Sequence, residues 1–459
     1  MLLLAGLLTC AGCPGQPPPP PPTASPFQGA DVAVAVPAEL RLGDYWSLQL
    51  DEWKAASGAD CRLTDADPAS PVPPEGAALA IFPLGRTPDL LAAGWLAPLT
   101  DDDALIDWDD SLRGLRNGVA KPGGEPGLIP LSCPILACYY RADLLEAVGR
   151  QPPKTWEEYH SLLADLSTWS NGLPALEPWS TEFRSTMLLA RAAPYALHPD
   201  NVSMLLDLQS GAPLIGEAPF VQALDDGLAA IKQLDPRSLE MSPQDCCRAV
   251  LSGQAALAIG FPPTSADAPE QRSDPNTLVG TVRLPGASRI YDRSSSAWTP
   301  TADGSPSQVT VVGFTGYAVG ASQGVDDTTR HAAWNLWTEL RKPTGQDDLP
   351  FGVAVCRAGD VAAAARQPAG GFTASEWRRH VEETTAALQE TRVLLELPLP
   401  EASRFRESLA RRVTQAIEGT STPAAALEQA AADWQSLIDE LGDRRVVSVY
   451  RQCHGLSPE

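Results

Sequence analysis

The sequence predicts an α/β protein of two lobes, and three observations predict it. At 459 residues the chain exceeds what one small core needs, and lengths of this order divide into two or three units. Near its start, Asp31 to Val36 has the β-branched pattern of a strand; behind a loop at Pro37 to Gly43, Trp46, Leu50 and Trp53 share one helical face that Gly58 closes. The stretch from Tyr139 to Leu166 repeats that grammar. A strand end leads into a short helix closed by Gly149, Pro152 and Pro153 forbid continuation, and Thr155 caps a second helix to which Glu158 reaches back. Trp156, Tyr159, Leu163 and Leu166 recur at helical spacing, so one face of that helix is buried.

The other elements follow in order. Ala77 to Phe82 is a second buried strand and Asp89 to Leu99 a short helix. Asp101 to Asp110 is acidic but lacks the alternating ligands and central glycine of a calcium loop, which leaves a solvated surface. Leu128 to Tyr140 is a strand that Pro130 and Pro134 confine to an edge or a crossover. Met187 to Ala193 is helical, Gln244 to Gly260 gives helix, glycine and strand, and Asn276 to Pro285 is a further strand. Ala266 to Gln271 and Ser288 to Ser307 are expected as loops. Val309 to Val319 is a glycine-interrupted strand pair, and Thr328 to Leu340 a helix with Ala332, Ala333, Trp334 and Trp337 packed inward. Phe405 to Leu441 holds two helices parted by Gly419, the second started by Thr422 and Pro423.

Composition narrows the partners. Lysine and arginine number 34 against 57 acidic residues, 34 − 57 = −23, which argues against nucleic acid or an anionic membrane surface. No apolar run after the N-terminus is long enough to span a bilayer. Leu2 to Leu8 form a short apolar segment that ends at Cys10-Ala11-Gly12-Cys13, the pattern of a bacterial lipoprotein signal with lipid on Cys13; an ordinary cleaved signal peptide is the alternative. Residues 14–30, with the run Pro17 to Pro22, form a stiff extended tether. Cys61, Cys133, Cys138, Cys246, Cys247, Cys356 and Cys453 lack metal-site spacing with histidine, which leaves buried thiols or disulfides, and no metal or cofactor is expected.

The stretch Tyr140-x-x-Asp143-Leu144-Leu145, Gly149, Pro152, Pro153, Thr155-Trp156-x-Glu158 resembles the signature of the family 1 extracellular solute-binding proteins, the ligand-capturing subunits of ABC importers, maltose-binding protein among them. The likeness extends over roughly residues 31–441. It implies a two-lobed periplasmic-binding-protein type II fold with crossover hinge strands: 1–13 signal, 14–30 tether, 31–131 with 283–343 as lobe I, and 132–282 with 344–459 as lobe II. In it Leu349 to Val353 corresponds to a second return between lobes. The implied function is a monomeric, lipid-anchored binder, periplasmic or at the cell surface, that closes on a saccharide without chemistry and hands it to permease subunits.

The resemblance also places the ligand contacts. Phe82 and Arg86 follow the second strand of the first lobe, Glu39 lies in the first strand-to-helix loop, and Glu177-Pro178-Trp179 matches a Glu-Pro-aromatic triplet that supplies a carboxylate and a stacking ring. Phe261, beside Gly260 and Pro262, is a shifted match to a further aromatic. Arg406 stands where maltose-type members carry an aromatic and, with Arg86, favours an anionic saccharide. Each aromatic has a plainer reading as core, and Arg406 as a partner of Glu401 or Glu407 on a solvated helix face. Two alternatives stand beside import: a sensor of the same fold, and an esterase using Ser322 in Gly320-x-Ser322-x-Gly324, for which no later acid and histidine pair is convincing.

Overall fold

The computed structural model describes residues 25–67, 70–100, 102–200, 203–263, 272, 276–341, 354–390 and 392–458. The expected lipoprotein signal with Cys13, the expected tether up to residue 24, the expected loop at 266–271 and the expected return at 349–353 lie outside the described residues.

The first lobe is laid down by β1 (Asp31–Pro37), α1 (Leu42–Ser57), β2 (Asp60–Ala66), β3 (Ala77–Pro83), α2 (Thr87–Ala92), α3 (Asp102–Asp110), α4 (Arg113–Gly118) and β4 (Ile129–Ser132). The second follows as β5 (Ala137–Arg141), α5 (Ala142–Ala147), α6 (Trp156–Ala164), α7 (Leu166–Trp169), β6 (Ala175–Leu176), α8 (Arg184–Ala196), α9 (Ala218–Ile231), α10 (Pro243–Leu251), β7 (Leu257–Gly260) and β8 (Val279–Arg283). Then come β9 (Arg289–Asp292), β10 (Ala297–Pro300), β11 (Thr310–Val312), β12 (Tyr317–Ala321), α11 (Asp327–Leu340), α12 (Val361–Ala364), α13 (Ala374–Gln389), β13 (Val393–Leu395), α14 (Ala402–Ile417), α15 (Pro423–Leu441) and α16 (Asp443–Cys453).

Two sheets organise these elements. The five-stranded sheet has the order β2-β1-β3-β12-β4, with β1 parallel to β2 and β3, and β12 antiparallel to β3 and β4. Val32 to Val36 are all buried, as befits a strand covered on both faces. Trp46 and Trp53 of α1 meet α11, where the Trp46 and Trp337 rings lie edge to face at 6.1 Å. The four-stranded sheet has the order β6-β7-β5-β8. Above it the capped helix forms as expected: the Glu158 N–H donates to Thr155 Oγ1 at 3.2 Å, and the Thr155 N–H to Glu158 Oε2 at 3.3 Å. Gly149 takes φ +67°, the left-handed value that ends α5. Every residue of α8 is buried, so this helix runs through the interior of its lobe.

Chain crosses between the sheets at residues 133–136, at the edge position that Pro130 and Pro134 call for, and again through β11, which pairs in parallel with β13. Among the described residues no helix is long and apolar enough to cross a membrane.

Two expectations are corrected. Ser288 to Ser307 is not a plain loop but carries the hairpin β9–β10, whose Tyr291 and Trp298 rings face each other across the strands. The acidic run is a helix, α3, and its Asp107 is buried, held by Arg341, by Arg357 at 3.6 Å and by Trp337 Nε1 at 3.1 Å. A carboxylate with three donors can leave water, which a solvated run would not do. Of the two states expected for the cysteines, the seven among the described residues take that of buried free thiols.

Candidate functional site

In an open α/β sheet a ligand crevice forms outside the carboxyl ends of neighbouring strands whose connections leave to opposite sides. That condition holds at β1: the chain leaves it for β2 on one side, while β3 lies on the other. A cavity open to solvent forms at this point, lined by Pro37 and Glu39 at the end of β1, Ala66 and Asp67 at the end of β2, Ser70 to Pro73, and Phe82, Pro83, Arg86 and Leu90 at and beyond the end of β3. Three of the residues expected at the site, Glu39, Phe82 and Arg86, share this cavity.

Each is positioned by local structure. Glu39 sits on a single 3₁₀ turn, Ala38–Leu40, and its Oε1 accepts the Tyr317 hydroxyl at 3.2 Å. Burial pushes that hydroxyl up to about 12, and the charge of Glu39 adds to the effect. Phe82 is the last buried residue of β3 and offers an apolar wall. The Arg86 guanidinium donates to Asp89 Oδ2 at 3.1 Å and to the Ser70 carbonyl at 2.7 Å, so it is fixed before any ligand arrives. Asp89 also accepts the Glu401 N–H at 2.7 Å, which ties α2 of the first lobe to the start of α14. Burial raises the Asp89 carboxyl; the Glu401 N–H and Arg86 act against it.

The other expected contacts are drawn elsewhere. Glu177 and Trp179 are fully buried in the second lobe: Glu177 accepts Trp179 Nε1 at 2.9 Å and Arg191 Nη2 at 2.5 Å. The interior arginine of α8 turns both side chains inward, away from the cavity at the ends of β1 and β3. Arg191 lies 4.0 Å from the Trp156 ring centroid and 5.9 Å from that of Trp179. Phe261 is likewise buried, tilted against Phe314 at 5.9 Å. Arg406 donates to the buried Glu396 at 2.6 Å, neither to Glu401 nor to Glu407.

A sequence profile described as bacterial extracellular solute-binding protein matches residues 64–349, more than half of the chain. The chain belongs to this family. Solved structures with the same fold include the sugar-binding protein MalE of Xanthomonas citri, 16% identical over 90% of this chain and 98% of that one, with a TM-score of 0.61. A ribitol-bound ABC transporter solute-binding protein of Agrobacterium radiobacter K84 is 19% identical over 90% and 100%, TM-score 0.58. Maltose-bound MalE3 of T. maritima is 15% identical over 89% and 99%, TM-score 0.57.

In this solute-binding protein Ser322 is a structural residue. Its Oγ accepts the Gly324 N–H at 3.0 Å and its carbonyl the Arg330 guanidinium, which locks the turn after β12. Its side chain is 5% exposed, and a nucleophile elbow requires an exposed one. Among the described residues no group of three or more metal-ligating side chains converges. Sequence reasoning missed Tyr317, Asp67 and the wall at Ser70 to Pro73; the prolines at 71, 73 and 74, which fix φ, were the available signal there.

Proposed function

We propose that this solute-binding protein captures a neutral polyhydroxylated solute, a saccharide or a polyol, in the crevice at the ends of β1, β2 and β3, and passes it unaltered to the permease of an ABC importer. The observation that carries this is the meeting of Glu39, Phe82 and Arg86 on one cavity at the switch point of the first sheet. An apolar ring with fixed acceptors and a fixed donor suits a molecule whose faces are apolar and whose rim alternates hydroxyl donors and acceptors. Relatives of the same fold are described as bound to ribitol, maltose and D-mannitol, which supports that class.

The charge of the cavity favours a neutral solute over an anionic one. Two carboxylates, Glu39 and Asp67, stand against one guanidinium, and Arg86 and Arg406 are each paired with a carboxylate, Asp89 and Glu396. The remaining parts of the reading are a lipid anchor on Cys13, the spacer to residue 30, and lobes of 31–131 with 283–343 and 132–282 with 344–459 that close about the crossovers.

Calorimetric titration against a panel of neutral sugars, polyols and their uronate counterparts tests the proposal. A neutral member is expected to bind and its uronate to bind more weakly; Phe82→Ala should weaken binding about tenfold, a loss of about 1.4 kcal/mol. Tighter binding of the uronate, or a solute recovered chemically changed, would overturn it.

A further inference from the structure

The C-terminal helix α16 has no part in the solute site, yet it touches both lobes. On the second lobe its anchor is specific. The Tyr450 hydroxyl accepts the N–H groups of Leu205 at 3.0 Å and Leu206 at 3.3 Å and pairs with Ser203 Oγ at 2.8 Å. Val447 lies so close to Gly211 that a Cβ there would stand 2.8 Å from its Cγ2, and Val446 and Tyr450 belong to the second lobe's core. Through Gly442 the helix continues directly from α15, which packs on α9.

On the first lobe its seat is of another kind. There α16 lies along α2 and against the 3₁₀ turn Pro122–Gly124, where the Gly455 carbonyl stands 3.2 Å from the position a Cβ on Gly124 would take. Cys453 lies in the field of Asp89, the residue that accepts the Glu401 N–H across the same seam. The second-lobe side is held by three hydrogen bonds to one hydroxyl and by Val446 and Tyr450 within that lobe's core. The lobes cannot separate unless α16 leaves one of them, and the Tyr450 anchor with its buried neighbours keeps it on the second.

We propose that α16 is a latch: it travels with the second lobe, seats on α2 and Pro122–Gly124 of the first, and opposes their separation. Because Leu90 of α2 lines the solute cavity, the latch acts on the helix that borders the site. A latch of this kind raises the population of the approached state, and apparent solute affinity scales with that population. The proposal concerns lobe approach alone, so it stands or falls whatever solute the crevice takes.

The test needs no ligand. Cys453→Trp, in the full chain, adds bulk on the α2 side and leaves the Tyr450 anchor untouched; a chain ending at Gly442 removes the helix. In X-ray solution scattering both should give a larger radius of gyration than the parent. In hydrogen exchange Cys453→Trp should speed exchange in α2 while Leu205 and Leu206 stay protected. An unchanged radius of gyration in either variant overturns the proposal. So does loss of protection at Leu205 and Leu206 together with α2, which would make α16 an ordinary part of the second lobe's core. If the shortened chain does not fold, Cys453→Trp decides alone.

Discussion

Glu177→Gln tests the buried core of the second lobe and the reassignment of Trp179 in one experiment. The substitution keeps the side-chain shape and an oxygen for Trp179 Nε1, but removes the charge opposite Arg191. That guanidinium is wholly buried, stacked on Trp156, and its Nε and Nη1 have no hydrogen-bond partner among the described residues, so Glu177 is its anchor. Burial pulls the guanidinium down, and the charge and hydrogen bond of Glu177, with Tyr159 and Asp226, together more than offset this. Stranding one member of such a pair costs about 3–5 kcal/mol. With a urea dependence of about 2–3 kcal/mol/M, the unfolding midpoint should fall by about 1–2 M, followed by tryptophan fluorescence. Glu177→Gln with Arg191→Met should recover much of that loss, because no lone charge is left behind. A single-variant cost under about 1 kcal/mol, or a double variant as damaged as the sum of the two singles, would refute the account. Solute affinity of the folded variant should be unchanged; its collapse would return Glu177 and Trp179 to the binding surface.

Gly227→Ala should destabilise by about 1–3 kcal/mol although alanine favours helices, because its Cβ would stand 2.8 and 2.9 Å from Trp179 Cη2 and Cζ2; a urea midpoint at or above the parent's would contradict this. Thr155→Ala removes one half of the capping box of α6 and should lower stability by about 1 kcal/mol in the same titration. Asp433 links α14 to α15 by accepting from Arg412, Arg411 and Ser408, and its hydrogen bond to Arg412 above all holds its carboxyl below the ordinary aspartate value of 3.8. A depressed carboxyl stabilises the fold above that value and loses the contribution as pH falls through its lower folded value. Asp433→Asn should therefore lose less stability than the parent on acidification below about pH 4, measured as urea midpoints at each pH.

Local grammar was legible wherever a residue's role depends on its near neighbours. Thr155 with Glu158, Gly149 and the tryptophans of α1, α6, α11 and α15 announced caps, stops and buried faces through spacing alone. Glu39, Phe82 and Arg86 were placed by the resemblance at the ends of β1 and β3, and the fold sets the three on one cavity. Direction was not legible. Nothing in Glu177-Pro178-Trp179 says that Arg191, fourteen positions on, will turn those side chains inward. Phe261 and Arg406 were likewise settled by Phe314 and Glu396, partners no window on the sequence contains. β2 escaped notice because an edge strand alternating exposed and buried positions carries Asp60, Arg62 and Asp65. β13 is too short to leave a period, and α16 hides its buried valines and Tyr450 among charged residues.

The parallel pairing of β11 with β13 has a mechanical meaning. Thr310 and Val312 are laced to Arg392 and Glu396 by hydrogen bonds of 2.9 and 2.8 Å, so two passages of chain far apart in sequence form one ribbon. A laced ribbon flexes across its plane far more readily than its strands slide past each other, since sliding would sever the rungs. The closure proposed above would therefore run along an arc that leaves these rungs intact.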